Sequence, residues 1–171
     1  ILVVGENALK MMTVGGGSSS LKAKYEISPL DGLRKRVGNQ AEVVYTPGYI
    51  SRSSGNNNEV TAEAIELAKD ADLVVFIGGL NKDDFQDCED SDRKNLSLPY
   101  GQDQVIEELS KVNKNIVVVI ISGNAVAMPW IDKVPAVVQG WYLGTEAGNA
   151  LASILVGDVN PSGKLPMTYG V

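Results

Sequence analysis

Five short apolar runs, separated by segments with helical periodicity, constrain the fold of this chain more than any other feature. The runs are Ile1–Val4, Glu42–Tyr45, Leu73–Ile77, Ile116–Ile121 and Ala136–Gln139. Runs this short and this apolar are typical of strands covered on both faces, as in a parallel sheet. Their alternation with helices predicts right-handed crossovers. We therefore expect an α/β fold with a mostly parallel sheet of five or six strands and helices on both faces, a flavodoxin-like three-layer sandwich.

Start and stop signals predict four helices between these runs. Ser28 and Pro29 mark the beginning of the first, and Gly38 follows its end. Apolar periodicity predicts the others, and they are expected at Asn58–Lys69, Gln102–Val112 and Thr145–Val156. Asn58 is the expected cap of the first of these three. No linker divides the chain, so we expect a single domain over residues 1–171.

Composition excludes several partners and chemistries. The net charge is −6, and without a basic stripe we expect no nucleic-acid partner. No apolar run approaches the ~20 residues of a membrane helix, so we expect no membrane partner. Histidine is absent, which excludes Ser-His-Asp catalysis and the usual zinc sites. We predict neither a metal nor a cofactor.

The chain begins directly with an apolar run at Ile1. Natural proteins rarely begin inside a core strand, so this start indicates a piece of a longer protein. A leader would then lie upstream, and the single cysteine, Cys88, says nothing firm about the compartment.

A run of carboxylates follows the third apolar run, where an open parallel sheet binds its ligands. Its members are Asp83, Asp84, Asp87, Glu89, Asp90 and Asp92. Crowded carboxylates raise one another's pKa, so we expect one of the six to hold a proton near neutral pH, as a general acid must. Spacing does not single out one of them. A solvated acidic loop is the alternative, and a calcium site lacks the usual spacing and turn glycine.

A glycine–serine segment, Gly15–Ser20, follows the first apolar run. Its backbone N–H groups suit an anion, but both the dinucleotide fingerprint and the P-loop lysine are missing. A neutral ligand rich in hydroxyls fits the segment better than a phosphate, and a flexible surface loop is the alternative. Trp130 and Trp141 are either sugar-stacking platforms or packing residues.

Two long segments carry specific signatures. Residues 157–168 read Gly-Asp-Val-Asn-Pro-Ser-Gly-Lys-Leu-Pro-Met-Thr, and residues 89–102 read Glu-Asp-Ser-Asp-Arg-Lys-Asn-Leu-Ser-Leu-Pro-Tyr-Gly-Gln. Both resemble motifs of glycoside hydrolase family 3. The likeness extends over essentially the whole chain and is to the second domain, the α/β sandwich, of β-glucosidase-like enzymes. Further segments that fit are Gly15–Ser18, Ser28–Leu33, Ser122–Asn124, Met128–Trp130 and Trp141–Gly148.

The resemblance implies the second domain of a retaining exo-β-glycosidase, most similar to a β-glucosidase, with a β-xylosidase of the same family as the alternative. It implies that the nucleophilic Asp lies in an N-terminal (β/α)8 barrel outside these residues, and that Glu89 is the general acid/base. Asp90 departs from the family, which usually has Gly at that position. The resemblance also implies that Gly16, Gly17, Ser18 and Ser19 bind the substrate, a β-glucoside or an oligosaccharide.

Other functions remain open at this point. Double displacement needs two carboxylates close together, so the chain by itself is expected to be inactive. A non-catalytic carbohydrate-binding or structural domain is the second hypothesis. A flavodoxin-like nucleotide-binding domain rests on fold analogy alone. The compartment is left unknown, and a periplasmic or extracellular enzyme is consistent with the resemblance.

Overall fold

A five-stranded parallel sheet forms the centre of the protein. The computed structural model describes residues 1–11, 13, 18, 22–51 and 57–170. Within them the strands are β1 (Leu2–Val4), β2 (Val44–Thr46), β3 (Val74–Gly79), β4 (Ile116–Ile121) and β5 (Ala136–Gln139). Their order is β2-β1-β3-β4-β5, and all neighbouring pairs are parallel. This order is flavodoxin-like, so the predicted fold class is confirmed.

Helices cover both faces of this sheet. They are α1 (Pro29–Val37), α2 (Asn58–Asp70), α3 (Gln102–Val112) and α4 (Ala147–Leu155). Side chains of a strand alternate between faces, and in β3 Val74 and Phe76 pack with α2 and α3 while Val75 and Ile77 pack with α1 and α4. Two apolar cores therefore lie between the sheet and the helices, and the helices form the outer layers of a sandwich.

Most predicted boundaries agree with the structure to within two residues. The Ser28 hydroxyl accepts a hydrogen bond from the backbone N–H of Asp31 (3.1 Å), as expected of a helix cap. Asn57, rather than Asn58, stands at the cap position of α2. β3 extends two residues beyond its apolar run because the backbones of Gly78 and Gly79 continue to pair with β4.

The strand order creates a crevice at the carboxyl edge of the sheet. The chain leaves β1 toward β2 on one side and later returns to β3 on the other side. Such a reversal is the place where open α/β sheets bind ligands. The loops that follow β1 and β3 both begin at this crevice. Within the described ranges, no helix combines the length and the apolar character needed to span a bilayer.

Candidate active site

The loop that follows β3 is anchored at both ends by one buried amide. Gln102, the first residue of α3, is 1% exposed. Its Oε1 accepts a hydrogen bond from the backbone N–H of Gly79 (2.7 Å), and its Nε2 donates to the carbonyl oxygen of Gly79 (2.8 Å). The side chain at the end of the loop thus pairs with the backbone at its beginning, and residues 80–101 lie between these two anchors.

Further polar side chains hold the first part of this loop. The backbone N–H of Asn81 donates to Oε1 of Gln86 (2.9 Å), and Nε2 of Gln86 donates to the hydroxyl of Tyr100 (2.7 Å). Oδ1 of Asn81 accepts from the backbone N–H of Asp83 (2.7 Å). Asn81 and Gln86 are both buried, so these hydrogen bonds satisfy polar groups that are removed from water.

Asp87 connects this loop to the loops that follow β4 and β5. Its Oδ2 accepts hydrogen bonds from the backbone N–H of Gly123 (2.6 Å) and from the hydroxyl of Tyr142 (2.7 Å). Its Oδ1 accepts from Nδ2 of Asn124 (2.8 Å). Oδ1 of Asn124 accepts in turn from the Arg93 guanidinium, which also donates to the carbonyl oxygen of Ala125 (2.6 Å).

Glu89 lies at the tip of a tight turn between Asp87 and Arg93. Cys88 and Ser91 form an isolated antiparallel bridge, so Glu89 and Asp90 are the two central residues of the turn, and both are exposed. Asp90 has a φ of 66°, a conformation that favours glycine at this turn position. The glycine that the resemblance leads us to expect here would thus have a conformational reason, and Asp is one of the few other residues that tolerate this conformation.

The carboxylate of Glu89 contacts the segment that follows β1. Its Oε2 accepts a hydrogen bond from the backbone N–H of Ser18 at 2.5 Å, across 71 positions of sequence. Hydrogen bonds from the Ser18 backbone and side chain lower the pKa of Glu89 from its ordinary value. The expectation that crowding raises the pKa is therefore wrong for Glu89: donors stabilise its ionised form.

A different carboxylate has a raised pKa. Burial raises the pKa of Asp103, although hydrogen bonds from Trp130 and from the Leu98 backbone oppose this shift. Nε1 of Trp130 donates to Oδ1 of Asp103 at 2.8 Å, and Trp130 is fully buried. Trp130 is thus a core residue and not a sugar platform, while Trp141 is partly buried.

The predicted site residues are only partly described. Ser18 and Glu89 come together through a hydrogen bond, whereas Gly16, Gly17 and Ser19 lie outside the described residues. Asp87, Asn124 and Tyr142 are polar anchors of the loop that sequence reasoning did not distinguish. Asn124 and Tyr142 fall in segments that resemble family motifs, which was the available signal.

Two features of the surroundings bear on the chemistry. A cleft of about 360 Å³ beside the loop is lined by Phe85, Arg93, Lys94 and other residues, and Glu89 does not line it. In the described part of the chain, no group of three or more carboxylate or thiol side chains is placed to hold a metal ion. Glu89 is therefore an exposed residue that lies outside this cleft.

Comparisons with known proteins agree with this architecture. A β-glucosidase of Bacteroides ovatus, BoGH3A, is 50% identical over 181 aligned positions, which cover 100% of this chain and 24% of that protein. The chain thus spans about a quarter of this relative's length. The solved structure of a GH3 β-glucosidase of Bifidobacterium adolescentis matches 96% of this chain and 23% of its own, with a TM-score of 0.83 and 34% identity.

A further solved structure, the GH3 exo-β-xylosidase XlnD, matches 92% of this chain and 20% of its own. Its TM-score is 0.79 and its identity to this chain is 32%. The model of the glycosyl hydrolase family 3 C-terminal domain matches residues 1–171. The strand order, the loop after β3 and these matches lead to one conclusion: the chain belongs to glycoside hydrolase family 3, as a C-terminal domain of that family.

Proposed function

We propose that this chain is the second domain of a retaining exo-β-glucosidase and that it supplies Glu89 as the general acid/base. The observation that carries the proposal is the position of Glu89. It is exposed at the tip of a turn, in the loop that leaves β3 at the carboxyl edge of the sheet, and this loop is anchored to its neighbours by Asp87 and Arg93. Such an arrangement suits a carboxylate that reaches outward toward another domain.

An exposed carboxylate on a firmly anchored loop is what an active site shared between two domains requires of one of them. Retaining glycosidases need two carboxyl groups roughly 5–5.5 Å apart. Glu89 would supply one of them, and an Asp of an N-terminal barrel in the same polypeptide would supply the other. The relative BoGH3A is about four times longer than its match to this chain, which leaves room for such a barrel.

Glu89 would then act twice in each turnover. Protonated, it donates its proton to the glycosidic oxygen as the bond to the leaving group breaks and the barrel Asp bonds to the anomeric carbon. Ionised, it removes a proton from the water that releases the sugar from that Asp. The pKa of Glu89 is lowered in this chain. We expect burial against the barrel to raise it, because desolvation disfavours the ionised form.

A β-glucoside is the proposed substrate because the relative BoGH3A is named a β-glucosidase. A β-xyloside is the second candidate, supported by the 32% identity to the exo-β-xylosidase XlnD. Gly16, Gly17, Ser18 and Ser19 are proposed to contact the leaving-group side of the substrate. The contact between the Ser18 N–H and Glu89 supports this assignment for Ser18.

The test is Glu89→Gln in the enzyme that joins this domain to its barrel. We expect kcat/KM to fall roughly 100-fold or more for a glucoside with a poor leaving group, and far less for an activated aryl glucoside, which needs little protonation. Asp84→Asn, an exposed carboxylate of the same loop, is the matched control and should change neither value. Equal, mild losses on both substrates would contradict the acid role and favour a carbohydrate-binding or structural domain.

A further inference from the structure

Asp87 and Arg93 bracket the turn that carries Glu89. Asp87 lies two residues before Glu89 and Arg93 four residues after it. Both bond to the same side chain, Asn124: its Nδ2 donates to Asp87, and its Oδ1 accepts from Arg93. One amide from the loop after β4 therefore holds both sides of the turn.

The carboxylate of Asp87 is the centre of this arrangement. It accepts three hydrogen bonds, from Gly123, Asn124 and Tyr142, all between 2.6 and 2.8 Å. The backbone N–H of Asp87 also donates to the carbonyl oxygen of Asn81 (3.0 Å). Hydrogen bonds to an ionised acceptor are about twice as strong as neutral ones. Asp87 therefore ties the turn to the ends of β3, β4 and β5 together.

Tyr142 is suited to remain a donor in this cluster. Burial and the bond to Asp87 both raise the pKa of Tyr142 above its ordinary value, so its hydroxyl stays protonated. The ammonium of Lys82 lies 3.8 Å from the centre of the Tyr142 ring, within the range of a cation–π contact. The donor on the β5 side is thus held in place as well.

We propose that Asp87 is a positioning residue for the general acid/base: through Asn124 and Tyr142 it holds the turn so that Glu89 points at the glycosidic oxygen. This inference rests on the proposed function of Glu89 and adds a second residue to it. Proton transfer needs the acid within hydrogen-bond reach of the leaving oxygen. A misplacement of about 1 Å can cost roughly 100-fold in rate.

The variant Asp87→Asn disturbs this arrangement with little change of shape. Its oxygen can still accept from Gly123 and Tyr142, but its new NH2 group faces the NH2 group of Asn124. Rotation of the Asn124 amide would relieve that clash, but it would turn the NH2 group of Asn124 toward the Arg93 guanidinium. Two donors would then face each other on that side. One side of the turn loses its hydrogen bond in either case.

The experiment measures kcat/KM in the enzyme that joins this domain to its barrel, with the same two glucosides, one with a poor and one with an activated leaving group. We expect Asp87→Asn to lower the value for the poor leaving group roughly 10- to 100-fold more than for the activated one. Asp84→Asn makes the same charge change in the same loop and should alter neither. Tyr142→Phe removes one donor, so a smaller loss with the same pattern is expected, and it decides the matter if Asp87→Asn fails to fold.

A double variant separates positioning from mere stabilisation. If Asp87 acts through Glu89, adding Asp87→Asn to Glu89→Gln should lower kcat/KM less than twofold further, because residues that act as a unit are not additive. Equal losses on both glucosides, or additive losses in the double variant, would overturn the inference while leaving Glu89 as the acid. If Glu89→Gln itself lowered kcat/KM equally for both glucosides, the proposed function would be wrong and the inference would be overturned with it.

Discussion

Strand β3 and the loop that follows it are held by different kinds of interaction. Every residue of β3 is buried, and its backbone pairs with β1 and β4. The loop is held instead by individual side chains, chiefly Gln86, Asp87 and Arg93. The difference teaches that many interchangeable apolar contacts position the strand, whereas a few specific donors and acceptors position the turn with Glu89. Substitutions at the junction, at the turn and at its tip can test this contrast.

The largest effect is expected at the junction, for Gly79→Ala. Gly79 has a φ of 116°, and a Cβ there would lie 2.2 Å from the carbonyl oxygen of Ile121. Because that oxygen belongs to the backbone of β4, it cannot move without disturbing the sheet. We expect the free energy of unfolding to fall by about 3 kcal/mol or more, measured by urea denaturation.

Gly101→Ala is the matched control for this substitution. Gly101 has a φ of 77°, but nothing lies within 4 Å of the position of its Cβ. Only the backbone conformation is then unfavourable, at a cost of about 1–2 kcal/mol. If the two substitutions lowered the free energy of unfolding by similar amounts, close packing at the end of β3 would not distinguish the strand from the loop.

An intermediate effect is expected within the turn, at Asp90. Its φ of 66° suits glycine better than alanine, so Asp90→Gly should preserve or raise stability by up to about 1 kcal/mol, and Asp90→Ala should lower it by about 1 kcal/mol. At Asp84, which is exposed and has no positive φ, the order should reverse, because glycine there only adds freedom to the unfolded chain. The same order at both positions in thermal or urea unfolding would refute the conformational role of residue 90.

The smallest effect is expected at the tip of the turn, as a change in the pKa of Glu89. The bond from the Ser18 backbone N–H is the larger cause of its lowered pKa, and the Ser18 side chain is the smaller one. Ser18→Pro removes the N–H and should raise the pKa of Glu89 more than Ser18→Ala, which keeps it. NMR titration of the Glu89 side chain measures both, and an unchanged pKa in Ser18→Pro would disprove the contact.

The sign of the corresponding stability effect follows from linkage. A carboxyl group with a lowered pKa in the folded state stabilises the fold above its unfolded pKa, about 4.3 for Glu. That contribution is lost as the pH falls through the lower, folded value. As the pH is lowered, the free energy of unfolding should therefore fall less steeply in Ser18→Pro than in the unchanged chain.

Much of the fold could be predicted because burial leaves a local pattern in sequence. β4, β5 and α3 begin and end at the residues predicted from their apolar runs and periodicity. β2 lies later than expected, at Val44–Thr46, because a three-residue strand offers little pattern to align. The family and the choice of Glu89 came from motif resemblance, since spacing made six carboxylates equivalent.

The direction of the Glu89 pKa could not be predicted in the same way. Crowding in sequence suggested mutual repulsion, but in the structure two carboxylates of the run, Asp87 and Glu89, have different partners. Asp87 accepts from donors on the loops after β4 and β5, and Glu89 accepts from Ser18. Each is compensated by N–H or O–H groups that adjacent sequence does not contain.

By itself, the sequence determined the alternation of buried strands and helices, the two apolar faces of the sheet and the family to which the chain belongs. These depend on patterns within short windows, where burial and backbone geometry act on neighbouring residues. Only the tertiary structure decided which carboxylate is tied down and which is exposed. The hydrogen bonds responsible join residues 36, 55 and 71 positions apart, and such pairings follow from the order of the strands, which brings distant loops to one edge.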